Sequence, residues 1–196
     1  ACLVGSEMCI RDRNGIFETD PDDICIHKHV QAGEVFESHI INGQLKPYIE
    51  KSKYIVDVGA NIGCHAISYV NMNHTCKVWA FEPQEQLFGI LSRNVLRNNL
   101  SDRINIYKYG LGHKEMNTTL YSLDKEWYPE QGGHNKGGLG IGSGGESINI
   151  CTLDSLNLPG LDFMKIDVEG AEGLVLEGAS ETIKKYKPVI FFEHNS

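Results

Sequence analysis

The chain has 196 residues, 41% of them hydrophobic, and a formal charge of −8. That length suits one well-packed domain with a short extension, and the acidic balance argues against a nucleic-acid surface, which needs clustered Lys and Arg. No apolar stretch approaches the roughly 18 residues of a membrane span, so no membrane partner is expected and the cytoplasm is the expected compartment.

Residues 1–13 stand apart. "CLVGSEMCIRDR", Cys2 to Arg13, resembles the in-frame translation of a sequencing adapter, and is set aside as non-native. The charge stays at −8 without it, because Glu7 and Asp12 cancel Arg11 and Arg13. Cys25, Cys64, Cys76 and Cys151 remain, with no CxxC and no metal-ligand spacing. Scattered in this way they read as small buried hydrophobes in a reducing compartment.

Residues 14–53 are expected to form an N-terminal strand and helix. "ICIHKHV", Ile24 to Val30, alternates as a strand does, with Cys25, His27 and His29 on a solvated face. "AGEVFESHIINGQL" predicts a helix with Val35, Phe36, His39 and Ile40 near one stripe, broken by Asn42-Gly43. From residue 54 the periods alternate regularly. "YIVDV", "KVWAFE", "INIYKY", "LDFMKIDV" and "PVIFFE" predict strands. Between the first three lie two helical patterns, one carrying Ile62, Ala66, Ile67 and Val70, the other Leu87, Ile90, Leu91, Val95 and Leu96. "EGLVLEGASETIKKY" predicts a third helix, with Lys184 and Lys185 at its solvated end. The alternation implies an α/β fold with a mostly parallel, doubly wound sheet in three αβα layers. "TTLYSL" and "SINICTL" predict a further, antiparallel pair. Eight of the fifteen residues in Gln131–Gly145 between them are glycine, so a mobile loop is expected there, serving as a lid over substrate if it functions at all, and the acceptor pocket is expected from this loop and the "AGEVFE" helix. The sheet is expected to be truncated after "FFEHNS".

The chemistry concentrates in three places. In "DVGANIG" a carboxylate, Asp57, precedes a glycine turn. A dinucleotide fingerprint aligned on Gly59 would need glycine at 61 and 64, where Asn61 and Cys64 stand, and a diphosphate would be repelled by Asp57. S-adenosylmethionine has the opposite requirements, since Asp57 can face its cationic methionine end and Gly59 lets the backbone pass close. Its carboxylate would lie near the N–H groups of Ile62 and Gly63. Glu82 in "AFEP" sits at the end of the next strand, where an acceptor for two ribose hydroxyls belongs, with a first-turn helix charge as the plainer reading. "KIDVEGAE" places Asp167 and Glu169 beyond another strand end, where a substrate hydroxyl would sit, with helix capping as its plainer reading.

Taken in order, "DVGANIG", "AFEP", "RNVLRNN", "CTLDSL", "KIDVEGAE" and "KPVIFFE" resemble the FkbM-family methyltransferases. The resemblance implies a Rossmann-like class I methyltransferase fold, S-adenosylmethionine as cofactor, and O-methylation of a hydroxylated small molecule such as a sugar or glycan. It carries over onto Asp57, Gly59, Asn61 and Gly63, onto Glu82, and onto Lys165, Asp167, Glu169 and Gly170. Ala60, Pro83 and Leu111 complete the expected cofactor-binding set. Asp167 is expected to act as base or to position the acceptor, assisted by Glu169. A divalent cation between these carboxylates and Glu193 is the alternative. His65 and His194 lie nearby and are read as structural or solvated. An NAD-dependent oxidoreductase on the same fold, or a non-catalytic binding fragment, are the competing readings.

Overall fold

The computed structural model describes residues 2–4, 7–11, 15–34, 36–128 and 133–192. Strands β1 (Cys2–Val4), β2 (Glu7–Arg11) and β3 (Ile16–Glu18) make a small antiparallel sheet in that order. The strand predicted over Ile24–Val30 is instead a helix, α1 (Ile26–Gln31). The reason is local: the Asp23 carboxylate accepts the N–H groups of Cys25 (3.0 Å) and Ile26 (2.8 Å), satisfying donors that a helix start leaves open. His27, expected to be solvated, is buried and bonded to Thr19 Oγ1 at 2.6 Å, while His29 stays exposed.

The helix expected to break at Asn42-Gly43 runs through it. α2 (Ser38–Ile40) passes through a π-helical turn at Ile41–Leu45 into α3 (Lys46–Ile49). Ile41, Leu45 and Ile49 recur every fourth residue and are all buried, so packing overrides the weak local signal of the glycine. Val35 lies outside the described residues.

The domain proper follows as β4 (Tyr54–Val58), α4 (Cys64–Met72), β5 (Lys77–Phe81), α5 (Glu85–Arg97) and β6 (Ile104–Tyr107). Then come β7 (Gly110–Leu111), β8 (Met116–Tyr121), β9 (Trp127–Tyr128), β10 (Gly133–His134) and β11 (Gly144–Cys151). The described chain ends with β12 (Phe163–Ile166), α6 (Glu172–Gly178), α7 (Ser180–Tyr186) and β13 (Val189–Phe192). The main sheet is entirely parallel in the order β13-β12-β4-β5-β6. The residues of β4 from Ile55, β5 from Val78 and all of β12 are buried, as strands covered on both faces must be. One apolar layer joins α4 and α5 to the sheet through Ile55, Ile67, Val78 and Leu91, and the other joins α6 through Val56, Val58, Met164 and Val175. Leu96, expected on the inner stripe of α5, is 61% exposed.

β8 and β11 do pair antiparallel, and the glycine-rich segment between them departs from the predicted featureless loop. Within it Lys136 is buried, and Leu139 packs on Leu120, Ile148 and Ile150. Lys136 Nζ meets the Asp20 carboxylate, and its N–H donates to Asp23 Oδ2 at 3.2 Å. Two buried acids from the N-terminal segment therefore anchor a stretch that cannot hold itself by its own side chains.

Candidate active site

The carboxyl ends of β4, β5 and β12 open into one crevice. Gly59, directly after β4, has φ +76°, and a Cβ there would lie 1.9 Å from the Asp167 carbonyl oxygen. Only glycine lets the two strand ends meet so closely. The following turn closes on itself at two amides. Asn61 Oδ1 accepts the Ile62 N–H at 2.7 Å, and the Ala60 carbonyl accepts the Gly63 N–H at 2.9 Å. The two amides expected to meet a ligand carboxylate are thus already paired within the turn.

Glu82 follows β5 and is 4% exposed. Its Oε2 accepts the Asn61 N–H (3.0 Å) and its Oε1 the Gln84 N–H (2.9 Å), so the carboxylate is held in place by backbone on both sides. Burial, opposed by those two hydrogen bonds, pushes its pKa up to about 7.

Beneath the turn lies a charged floor. The sheet register sets Lys165 of β12 beside Asp57 of β4, so both side chains leave the same face. Lys165 Nζ donates to the Gly59 carbonyl (3.0 Å), contacts Asp167 Oδ2 (3.1 Å) and lies 3.6 Å from Asp57 Oδ1. Burial works against that ammonium, but Asp57 and Asp167 outweigh it, and the Lys165 pKa stands above its ordinary value. Burial raises Asp57 to about 6 against the pull of Lys165, leaving it ionised at neutral pH. Neighbouring His65 is kept neutral by burial and by Lys165. Among the described residues, the buried side-chain atoms without a well-formed hydrogen bond are the Asp57 oxygens, His65 Nε2 and Tyr69 Oη. All belong to this cluster, as tuned sites tend to show. His65 Nε2 faces Glu37 Oε2 at 3.3 Å.

Two chambers meet above this floor, sharing Gly59, Glu82, Gly137, Asp167 and Glu169. One is apolar, walled by Pro83, Leu111, Leu120, Leu139, Ile148 and Ile150. The other is polar, walled by Ala60, Asn61, His65, Asn135 and Lys165, with Cys25, Ile26 and Phe36 from the N-terminal segment. Of the predicted site residues, Gly59, Ala60, Asn61, Glu82, Pro83, Leu111, Asp167 and Glu169 line one or both chambers. Asp57 and Gly63 line neither. Asp57 is fully buried behind Lys165, and a Cβ on Gly63 would press to 2.7 Å from Leu91. Asp167 is paired with Lys165 and does not cap α6, whose approach is closed by Glu172 accepting the Gly170 N–H at 3.0 Å. Phe36 and Asn135 come from the two segments expected to supply the acceptor pocket, "AGEVFE" and Gln131–Gly145, whereas the walls from Leu120, Ile148 and Ile150 carried no motif in the sequence. Among the described residues no group of three His, Cys, Asp or Glu side chains is arranged for a metal. Glu193 and His194 lie outside the described residues. No described helix is long and apolar enough to cross a membrane.

The model of the family described as "Methyltransferase FkbM domain" matches residues 57–196. Methyltransferase 1 of Beauveria bassiana (strain ARSEF 2860) is 26% identical over 175 residues, covering 80% of this chain and 67% of that protein. Methyltransferase sdnD of Sordaria araneosa is 25% identical over 177 residues, covering 76% and 67%. The crystal structure of methyltransferase FkbM from Methylobacillus flagellatus KT aligns with a TM-score of 0.52 at 23% identity, over 72% of this chain and 32% of that one. The chain thus spans about two thirds of the two relatives and a third of the solved chain, and the structural likeness speaks for the α/β fold.

Proposed function

The chain belongs to the FkbM methyltransferase family, and we propose that it binds S-adenosylmethionine across the two chambers and methylates a hydroxyl group of a small molecule, a sugar or glycan among the candidates. The observation that carries this reading is Glu82 at their junction, with each oxygen fixed by a backbone N–H and lone pairs left for two ribose hydroxyls. The donor set suits the cofactor. The apolar chamber offers Leu111, Leu120 and Ile150 to an adenine ring, and the polar one sets carboxylates against a cationic methionine end. Asp57 would act on that end through space, because Lys165 stands between. When bound, the cofactor supplies a methyl group already activated by its sulfonium.

The protein's own task is to place and deprotonate the acceptor. Asp167 and Glu169 line the polar chamber beside Asn135 and Phe36, offering hydrogen-bond acceptors and an aromatic face to a polyhydroxylated molecule. Lys165 Nζ holds the Asp167 carboxyl at 3.1 Å, which fixes the oxygens that would take the hydroxyl proton as base. Assistance by a divalent cation between Asp167 and Glu169 is separated from this by dialysis against EDTA, which would abolish transfer only on the metal route. The reading is tested by calorimetric titration with S-adenosylhomocysteine and with NADH, followed by labelled-methyl transfer to a panel of hydroxylated acceptors. Binding of NADH alone would overturn it.

A further inference from the structure

The "RNVLRNN" stretch of α5 takes no part in the reaction as described, yet the side chains of Arg93, Asn94, Arg97 and Asn98 all bond to β3. Asn94, fully buried, accepts the Glu18 N–H at 2.7 Å and donates to the Glu18 carbonyl at 3.0 Å. Asn98 repeats the pattern on Ile16, accepting its N–H at 2.9 Å and donating to its carbonyl at 2.8 Å. Four residues of helix rise about 6 Å and two residues of strand about 6.6 Å. An Asn pair at i and i+4 therefore matches the hydrogen-bonding repeat of an extended chain. One face of α5 imitates a neighbouring β-strand.

The charges complete the match. Arg93 grips the Glu18 carboxylate with contacts of 2.6 to 3.0 Å, and Arg97 meets its other side. Phe17, between the two bonded residues, is wholly buried in the core. The bonded residues, 16 and 18, lie outside the adapter-like stretch. Beyond Glu18 the chain passes through Asp20, held by Lys136, and Asp23, at the start of α1, to Cys25 and Ile26 on the wall of the polar chamber.

Asn94 also reaches the other way. Its Nδ2 donates to the Ile62 carbonyl at 2.9 Å, within the glycine turn that follows Asn61. One amide side chain thus joins the N-terminal strand to the turn that lines the cofactor crevice. The geometry points to a coupling device: α5 is a strand-docking site, and Asn94 and Glu18 are positioning residues that tie cofactor binding at the glycine turn to placement of the N-terminal chamber wall. This rests on the reading of the chambers as a cofactor site.

Hydrogen exchange of the full chain tests it, because the Ile16 and Glu18 amides are themselves the docking donors. Without ligand, Glu18→Gln is expected to speed exchange over residues 15–31 and over 59–63, leaving β5 and β12 unchanged. Loosening confined to 15–31 would overturn the coupling. In the wild type, S-adenosylhomocysteine is expected to slow exchange at 59–63 and 82–84, and also at 15–31. Protection at the first two alone overturns the coupling, whereas protection at none overturns the cofactor reading beneath it. By reciprocity, Glu18→Gln should weaken S-adenosylhomocysteine binding roughly fivefold or more, and an unchanged Kd counts against the proposal. Should that variant fail to fold, Arg97→Gln, which leaves Arg93 on Glu18, gives the same readouts in graded form.

Discussion

Glu82 makes a prediction in which stability and affinity move in opposite directions with pH. Its pKa rises from 4.5 in the unfolded chain to about 7 in the fold. Because the group is 4% exposed, the shift converts without discount for solvent screening to about 3 kcal/mol of preference for the neutral acid. A raised pKa contributes stability that is fully present below the unfolded value and lost as pH rises through the folded one. The ligand-free protein should therefore lose stability between about pH 5 and pH 8, with Asp57, raised to about 6, adding in the same sense. Ribose recognition requires the carboxylate, so S-adenosylhomocysteine affinity should rise about tenfold from pH 6 to pH 8 and then level off, as one ionisation near 7 dictates. Calorimetric titration across that range, beside thermal melts without ligand, measures both limbs. Glu82→Gln must turn an NH2 toward one of the N–H groups of Asn61 or Gln84, at about 1–3 kcal/mol of stability. It should bind S-adenosylhomocysteine weakly, with the pH slope gone. A wild-type affinity flat from pH 6 to pH 8, or a slope that survives in Glu82→Gln, refutes the assignment.

Gly59→Ala must find room for a Cβ 1.9 Å from the Asp167 carbonyl at φ +76°, and should cost about 2–5 kcal/mol in urea unfolding. Lys165→Met strands the fully buried Asp57 carboxylate and should cost about 3–5 kcal/mol. Adding Asp57→Asn should recover much of that loss, and additive costs would mean that the two charges do not interact. Asp167→Asn should slow methyl transfer about 10²- to 10⁴-fold while S-adenosylhomocysteine binding holds, and transfer at the wild-type rate would remove Asp167 from the role of base.

What the sequence discloses follows from the range of the interaction. The central strands β4, β5 and β12 were legible because strands buried on both faces must be apolar, and the carboxylates at their ends stand out against that background, while β6 and β13 keep a mostly apolar sequence at the half-exposed edges. Residues 24–30 misled because Ile24, Ile26 and Val30 fit alternation, while the deciding feature, Asp23 accepting two backbone N–H groups, lies just outside the pattern. Lys136 was illegible for a different reason. A lysine among glycines reads as solvated, and its partner Asp20 is 116 residues away. Ile148 walls the apolar chamber with no local mark, whereas Phe36 lies in the "AGEVFE" segment expected at the acceptor pocket. "RNVLRNN" was visible as a family motif, but its use depends on a strand nearly eighty residues upstream that no periodicity announced.

The electrostatic case for the ligand also changes form once Lys165 is placed. A lone carboxylate before a glycine turn argues for a cation, yet Asp57 has an ammonium 3.6 Å away, and a neutralised pair selects nothing. The selection has to come from the surplus. Glu37, Asp57, Glu82, Asp167 and Glu169 surround or line the chambers, against Lys165 alone among the described cations lining either one. That ammonium is itself occupied by the Gly59 carbonyl, Asp167 and Asp57. A diphosphate would add negative charge to a low-dielectric crevice already rich in it, where like charges about 4 Å apart repel by several kcal/mol. It would find the amides of Ile62 and Gly63 already bonded within the turn. A cationic ligand meets the reverse of the charge term, so releasing Lys165 from its partners, as Asp57→Asn partly does, should weaken the preference for it.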